Sequence, residues 1–272
     1  MGLSRRRIGV LAGSGVMVVG IAALVVAAVG VFSGTPAAPS STHHVALPTT
    51  TTSTTTTTST TTAPPAPAGP PASTLVATTK GAIPGYASPE STTPSMTVPG
   101  TWYGYPSVLP VITTEPGWLY VRLAQRPNGS TIWVHQSDVT MSSTPYSIIV
   151  NLTTMHLQVF DDGAQIFDFP AGIGAPDDPT PPGQYFMPMQ YPSPGPGYGP
   201  FVLVTSDHSD TITDWENSGD AVIGIHGPIT SYDDSLIGTT GAAISHGCIR
   251  LHDADLAQLS IIPAGTPIDI VS

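Results

Sequence analysis

The chain has 272 residues, with 30 Pro, 28 Gly and only 9% charged residues. That composition disfavours a long-helix protein and suits short strands joined by turns. The formal net charge is −11, three of the seven Lys+Arg stand together as Arg5, Arg6 and Arg7, and all 18 Asp+Glu lie beyond them. No basic patch is left to neutralise phosphates, which excludes nucleic acid as a partner.

The first elements are not globular. After the basic start (residues 1–7), Ile8 to Phe32 is uncharged. Its length of about 25 residues, about 37 Å as a helix, matches a bilayer core and exceeds a secretory apolar region. It is expected to be a transmembrane signal-anchor (8–32), with the arginines in the cytoplasm and the rest of the chain outside it. Small residues near Ser33–Ala38 leave cleavage open, which would give a secreted protein instead. Thr49 to Thr62 is almost pure Thr, and a Pro/Ala-rich stretch follows. Residues 33–89 are therefore expected to be a disordered Thr/Ser/Pro-rich linker, a stalk that lets a tethered domain search a layer beyond the membrane.

Strand signals begin near Thr97. Short apolar runs occupy Ser107–Ile112, Trp118–Leu123 and Thr131–Val134, with a turn at Pro127-Asn-Gly-Ser130. Asn128-Gly129 suits the left-handed backbone that a hairpin needs. Alternation sends Trp118, Tyr120 and Arg122 to one face and Leu119, Val121 and Leu123 to the other. The "WLYVRL…NGSTIWV" hairpin resembles that of small bacterial SH3-like barrels, so residues 90–144 are expected to be such a module. It would either bind a wall ligand or brace the domain that follows.

Residues 145–272 continue as strands. Tyr146–Leu152, Met155–Phe160 and Gln165–Phe169 follow one another, with Asp162-Gly163 as the turn between the last two. Gly183–Met187, Phe201–Thr205, Asp220–Ile225 and Pro267–Val271 are further strands. One helix is expected over Asp253–Ile261, with Asp253 as N-cap and Pro263 as the stop. Pro188–Pro200, rich in Pro and Gly, reads as a loop or lid. The class is mainly β, a sandwich or barrel-like sheet.

The one cysteine, Cys248, lies in Ile244-Ser-His-Gly-Cys-Ile-Arg-Leu251. It can form no intramolecular disulfide, so it is either an inert buried thiol or a reactive one. A thiol with a pKa near 8.5 needs a base or a positive neighbour to act as nucleophile. His226, His246 and His252 are the histidines nearby in sequence. Gly247, beside the cysteine, removes a side chain where a carbonyl would approach and lets backbone N–H groups converge on an oxyanion.

This segment resembles the L,D-transpeptidase (YkuD-type) family, whose signature is a His followed by [Ser/Thr]-His-Gly-Cys. The matching residues are His226 and Ser245-His246-Gly247-Cys248, with Gly224-Ile-His-Gly227 similar to the strand end that carries the histidine. Upstream, "SIIVNLTTMHLQVFDDG" and "AGIGAPDDPTPPGQYFM" resemble the opening strands and the Thr-Pro-x-Gly turn of that family. Two departures stand out: 18 residues separate His226 from Ser245, slightly more than usual, and Arg250 occupies a position where the stricter pattern has Asn.

The resemblance implies a β-sandwich catalytic domain over 145–272 and a peptidoglycan cross-linking reaction. Cys248 would attack the stem peptide, His226 would take its proton, and the Gly227 carbonyl would orient the imidazole. Gly247 and Cys248 N–H groups would hold the oxyanion, supported by Ser245 and His246. Arg250 and Tyr198 are candidate substrate contacts. The implied partners are peptidoglycan stem peptides and carbapenem-type inhibitors, with no cofactor and no metal. Water as acceptor would make the same fold a carboxypeptidase, and a non-enzymatic anchored wall-binding protein is a further alternative. A zinc site from His226, His246, Cys248 and His252 fits no familiar spacing. Papain-like peptidases place Cys before His, the reverse of the order here.

Overall fold

The computed structural model describes residues 69–272. The readings made for the signal-anchor and for most of the linker lie outside these residues. Among the described residues, no helix is long and apolar enough to cross a membrane.

Alternating apolar residues build the N-terminal module. Its strands are β1 (Thr74–Thr79), β2 (Ile83–Gly85), β3 (Met96–Val98), β4 (Thr101–Trp102), β5 (Tyr105–Pro106), β6 (Val108–Glu115), β7 (Trp118–Arg122), β8 (Thr131–His135) and β9 (Val139–Thr144). Five of them form an antiparallel sheet in the order β8-β7-β6-β1-β9. Leu119, Val121 and Leu123 are buried as the alternation predicts. The linker expected to run to residue 89 ends earlier, because β1 lies between β6 and β9 and buries Val76 and Ala77. The Leu75-Val-Ala77 run is short and flanked by Thr, so its pairing depends on partners 30 to 70 residues away.

The second part begins with β10 (Tyr146–Asn151), β11 (His156–Asp161), β12 (Ala164–Pro170), β13 (Ile173–Gly174) and β14 (Gly183–Met187). It continues with β15 (Met189–Pro192), β16 (Phe201–His208), β17 (Val222–His226), α1 (Ser231–Leu236), β18 (Ala243–Ser245), β19 (Ile249–Arg250), α2 (Asp253–Gln258) and β20 (Thr266–Val271). One sheet has the order β12-β11-β10-β20-β14 and another the order β15-β16-β17-β19. β13 and β18 make a short parallel pair. Val150 and Leu157 from the first sheet share one core with Leu203, Ile225 and Ile249 from the second and with Leu256 of α2. The two sheets thus face each other across a common apolar layer.

Two local expectations change. Part of the expected 188–200 loop is strand, since Met189–Pro192 pairs with Phe201–Val204. Asp253 is the first residue of α2 rather than its cap: His252 holds the cap position and makes no side-chain capping bond. An acidic residue in a first turn still complements the helix dipole, so the sequence signal was displaced by one position.

The module docks firmly on the second part. Phe186 of β14 is fully buried within the module's own apolar cluster. Around it, Arg122 donates to Gln184, and Arg126 donates to Asp220 Oδ1 (2.8 Å), Ser209 O (2.8 Å) and Ile212 O (3.0 Å). Asn128 Nδ2 donates to His208 O (2.8 Å) and Asp207 Oδ1 (3.1 Å), and Asn128 Oδ1 accepts from His208 N (2.9 Å).

Candidate active site

β17 and β19 run parallel, with Ile225 opposite Ile249 and His226 opposite Arg250. That register sets Cys248, one residue before β19, beside Gly224, whose N–H reaches the Cys248 Sγ at 3.5 Å. Side chains two apart on a strand share a face, so His226 stands on the same side as the Gly224 position. Cys248 and His226 line one cavity of about 680 Å³ together with Tyr198, His246 and Arg250. The parallel pairing of two short strands thus brings together the residues that the motif separates in sequence.

His226 is buried, and its Nδ1 lies 2.7 Å from the Gly227 carbonyl. A carbonyl only accepts, so Nδ1 carries the proton and Nε2 keeps its lone pair. Burial lowers the His226 pKa to about 4, against the raising effect of the Gly227 carbonyl; Arg250 adds to the lowering. The imidazole is therefore neutral at pH 7. Desolvation pushes the Cys248 thiol up, while the Gly224 N–H and Arg250 pull it down. A neutral thiol facing a neutral imidazole is the resting state these shifts describe, rather than a preformed thiolate–imidazolium pair.

The turn before the thiol is held from both sides. Ser245 Oγ donates to the Cys248 carbonyl and accepts from Gly247 N at 3.1 Å. Thr180 Oγ1 donates to the Gly247 carbonyl at 2.7 Å and accepts from Gly174 N at 2.9 Å. The expected pair of oxyanion donors is corrected here, because the Gly247 N–H is already bound to Ser245. Among the described residues the Cys248 N–H has no acceptor, so it is the free donor at this corner. Gly247 is also required by its backbone: its φ is +109°, and a Cβ there would meet Ile223 Cδ1 at 2.6 Å.

Gly227 does two things. Its carbonyl orients His226, and a Cβ on it would meet Asp253 Oδ1 and the Gly199 backbone N at 2.7 Å. Tyr198 lies over His226 with ring centroids 4.8 Å apart, and its carbonyl accepts the Gly227 N–H at 3.0 Å. Desolvation raises its phenol pKa.

Arg250 is buried and pairs with Asp233 Oδ2 at 2.8 Å through Nη1, leaving its Nε without a partner. His246 is exposed, with Trp215 5.4 Å away and Asp178 at 4.0 Å. His252 pairs with Asp234 (2.6 Å), and His208 is buried against Asp220 (3.1 Å). Sequence reasoning missed Thr180, although the Thr-Pro-x-Gly turn that carries it was visible. It also missed Asp233, for which no local signal exists, because α1 reaches Arg250 only in the folded chain.

The model of the YkuD family, described as the L,D-transpeptidase catalytic domain, matches residues 145–270. Residues 145–270 are thus similar to that catalytic domain. Over 127 residues the chain is 31% identical to the YkuD protein of Bacillus licheniformis and 29% identical to that of Bacillus subtilis, both named as L,D-transpeptidases. Each match covers 46% of this chain and 66% of the relative, so the chain spans just under two thirds of these relatives' length. Among solved structures, L,D-transpeptidase 3 from Mycobacterium tuberculosis, in complex with a faropenem-derived adduct, is similar at 14% identity and a TM-score of 0.40, over 61% of this chain and 91% of that one. In this chain the matched region is preceded by the docked module of β1–β9.

Proposed function

We propose that this protein is a peptidoglycan L,D-transpeptidase that uses Cys248 as nucleophile and His226 as general base. The observation that carries the reading is the presence of both side chains in one cavity, with the Gly224 N–H on the sulfur and the Gly227 carbonyl on the imidazole.

As the Cys248 sulfur attacks the carbonyl carbon between an L- and a D-residue of a donor stem, His226 Nε2 accepts the thiol proton. The Cys248 N–H donates to the oxyanion. Collapse breaks the C–N bond, His226 returns its proton to the leaving amine, and the terminal D-residue departs. The thioester is then attacked by an amine of a neighbouring stem, with His226 taking the amine proton and the thiol regenerated. Desolvation that keeps His226 neutral suits this role, because only the neutral imidazole accepts a proton. Arg250, held by Asp233, lowers the thiol pKa and so favours charge building on sulfur.

The N-terminal module, which we read as SH3-like, serves in this proposal to brace the catalytic domain. Its buried contact through Phe186 supports that role. The uncharged Ile8–Phe32 stretch after three arginines supports placing the domain outside the cytoplasm, tethered to the membrane.

The test is incubation of the purified protein with tetrapeptide stems. Cross-linked dimer and free terminal D-residue are expected from the wild type and neither from Cys248→Ala. Release of the D-residue with no dimer would favour the carboxypeptidase alternative, and unchanged dimer yield from Cys248→Ala would overturn the assignment.

A further inference from the structure

The cavity of the YkuD-type domain is not walled by that domain alone. Tyr103, from the N-terminal module, lines it with Cys248 and His226. It sits at the tip of the β4–β5 hairpin, where Trp102 pairs with Tyr105. Tyr103 and Gly104 have φ of +48° and +83°, the left-handed pair that a two-residue hairpin turn requires. Asn or Gly would adopt this backbone easily, whereas a bulky Tyr does so at a cost. Its ring is not buried in compensation, since Tyr103 is 60% exposed. A strained, exposed aromatic residue on a cavity wall is the pattern of a ligand contact.

The hairpin is held in place. Trp102 packs edge-on against Tyr103 (4.8 Å), and Tyr105 meets Tyr191 of β15 (6.3 Å). Behind it, the Phe186, Arg126 and Asn128 contacts fix the module on the catalytic domain. Arg126 also holds Ser209 and Ile212, the start of the loop that carries Trp215 to the same cavity. Tyr103, Tyr191 and Trp215 thus present three exposed aromatic faces around the mouth, 60%, 43% and 42% exposed.

The rim chemistry selects the occupant. Glu216 lines the wall, Asp220 beside it is paired with Arg126, and the one Lys or Arg among the lining residues, Arg250, is paired with Asp233. A carboxylate-bearing group is disfavoured there. An uncharged ring with a C–H-rich face and outward hydroxyls is favoured, because it buries apolar area on the aromatic rings and keeps its polar groups in water. We propose that Tyr103 is a substrate-contact residue supplied by the N-terminal module, binding a sugar ring of the donor glycopeptide at the outer rim. This rests on the transpeptidase reading for the identity of the donor.

The experiment compares full-length wild type and Tyr103→Ala on a disaccharide-tetrapeptide and on the free tetrapeptide. Tyr103→Ala is expected to raise KM about tenfold for the disaccharide form, with kcat unchanged and the free tetrapeptide unaffected. Tyr103→Asn, suited to the left-handed backbone, should show the same loss and so excludes misfolding as the cause. Tyr103→Phe should retain wild-type KM. An equal effect on both substrates, or none on either, would overturn the proposal. Binding of the disaccharide-tetrapeptide to Cys248→Ala, with and without Tyr103→Ala, is measured by calorimetry as well. Tenfold weaker binding without the tyrosine supports the contact even where the wild type turns over neither substrate, a result that would sink the transpeptidase reading alone. Unchanged binding would overturn the contact whatever the turnover.

Discussion

Thr180 and Gly247 are 67 residues apart, yet the Thr180 hydroxyl donates a 2.7 Å hydrogen bond to the Gly247 carbonyl in a buried position. The same oxygen accepts from Gly174 N. One hydroxyl therefore ties the turn before Cys248 to the strand end of β13, and a side chain that lacks the hydroxyl leaves two backbone groups unpaired.

Thr180→Val keeps the shape and removes both bonds. Leaving buried polar groups without partners costs about 1–3 kcal/mol each. A fall in unfolding free energy of about 2–6 kcal/mol for the two groups together is expected by denaturant titration. Because the bond holds the turn rather than substrate, slower Cys248 acylation should accompany it, with Thr180→Ser restoring both. A variant as stable and as fast as wild type would show that the turn holds itself.

The pH profile reports on His226. With its pKa lowered to about 4, the neutral base is present throughout the neutral range and is lost only as pH falls towards 4. The acid limb of the acylation rate is expected near pH 4 rather than near 6.5. A carbapenem supplies the assay, since its strained carbonyl should acylate Cys248 and give an adduct visible by mass spectrometry in wild type and absent in Cys248→Ala. A limb at pH 6–7 would show that burial does not lower the His226 pKa.

Asp207 is fully buried at the module interface, and desolvation raises its carboxyl pKa to about 8, with Asp210 adding to the rise and Asn128 opposing it. A raised carboxyl pKa means the folded state holds a proton that the unfolded chain releases above about pH 4. Stability from this group is thus fully present at low pH and falls as pH rises from about 4 to about 8, by up to about 1.4 kcal/mol per pH unit. Asp207→Asn should flatten that slope and be the more stable form at pH 8. A constant difference between the two proteins across this range, by thermal melts, would contradict it.

Gly247→Ala tests why the motif has glycine. A Cβ at φ +109° would press on Ile223 Cδ1 at 2.6 Å. The combined cost is expected at about 1–3 kcal/mol. Gly247→Ala with Ile223→Val should recover part of the stability, whereas recovery of nothing would assign the cost to the backbone angle alone.

Much of this molecule was legible in the chain itself. Period-two alternation marked β7 and β11, because a strand with one buried face must alternate. The Ser-His-Gly-Cys run and His226 marked the candidate site, because a thiol nucleophile would need a base and a backbone donor close by, and the folded chain brings them to one cavity. Pairings over long separations were not legible. β1 hid in a Thr-rich stretch until β6 and β9 flanked it, and Asp233 gave no sign that it would hold Arg250. The Gly247 N–H could be counted as an oxyanion donor only until Ser245 was seen to occupy it. The sequence by itself determined the candidate pair Cys248 and His226 and the mainly β class, which rest on residue type and local period. Tertiary structure alone decided which backbone N–H stays free, which base form is at rest, and that a tyrosine from the neighbouring module closes the cavity. Those depend on burial and on contacts between segments distant in the chain.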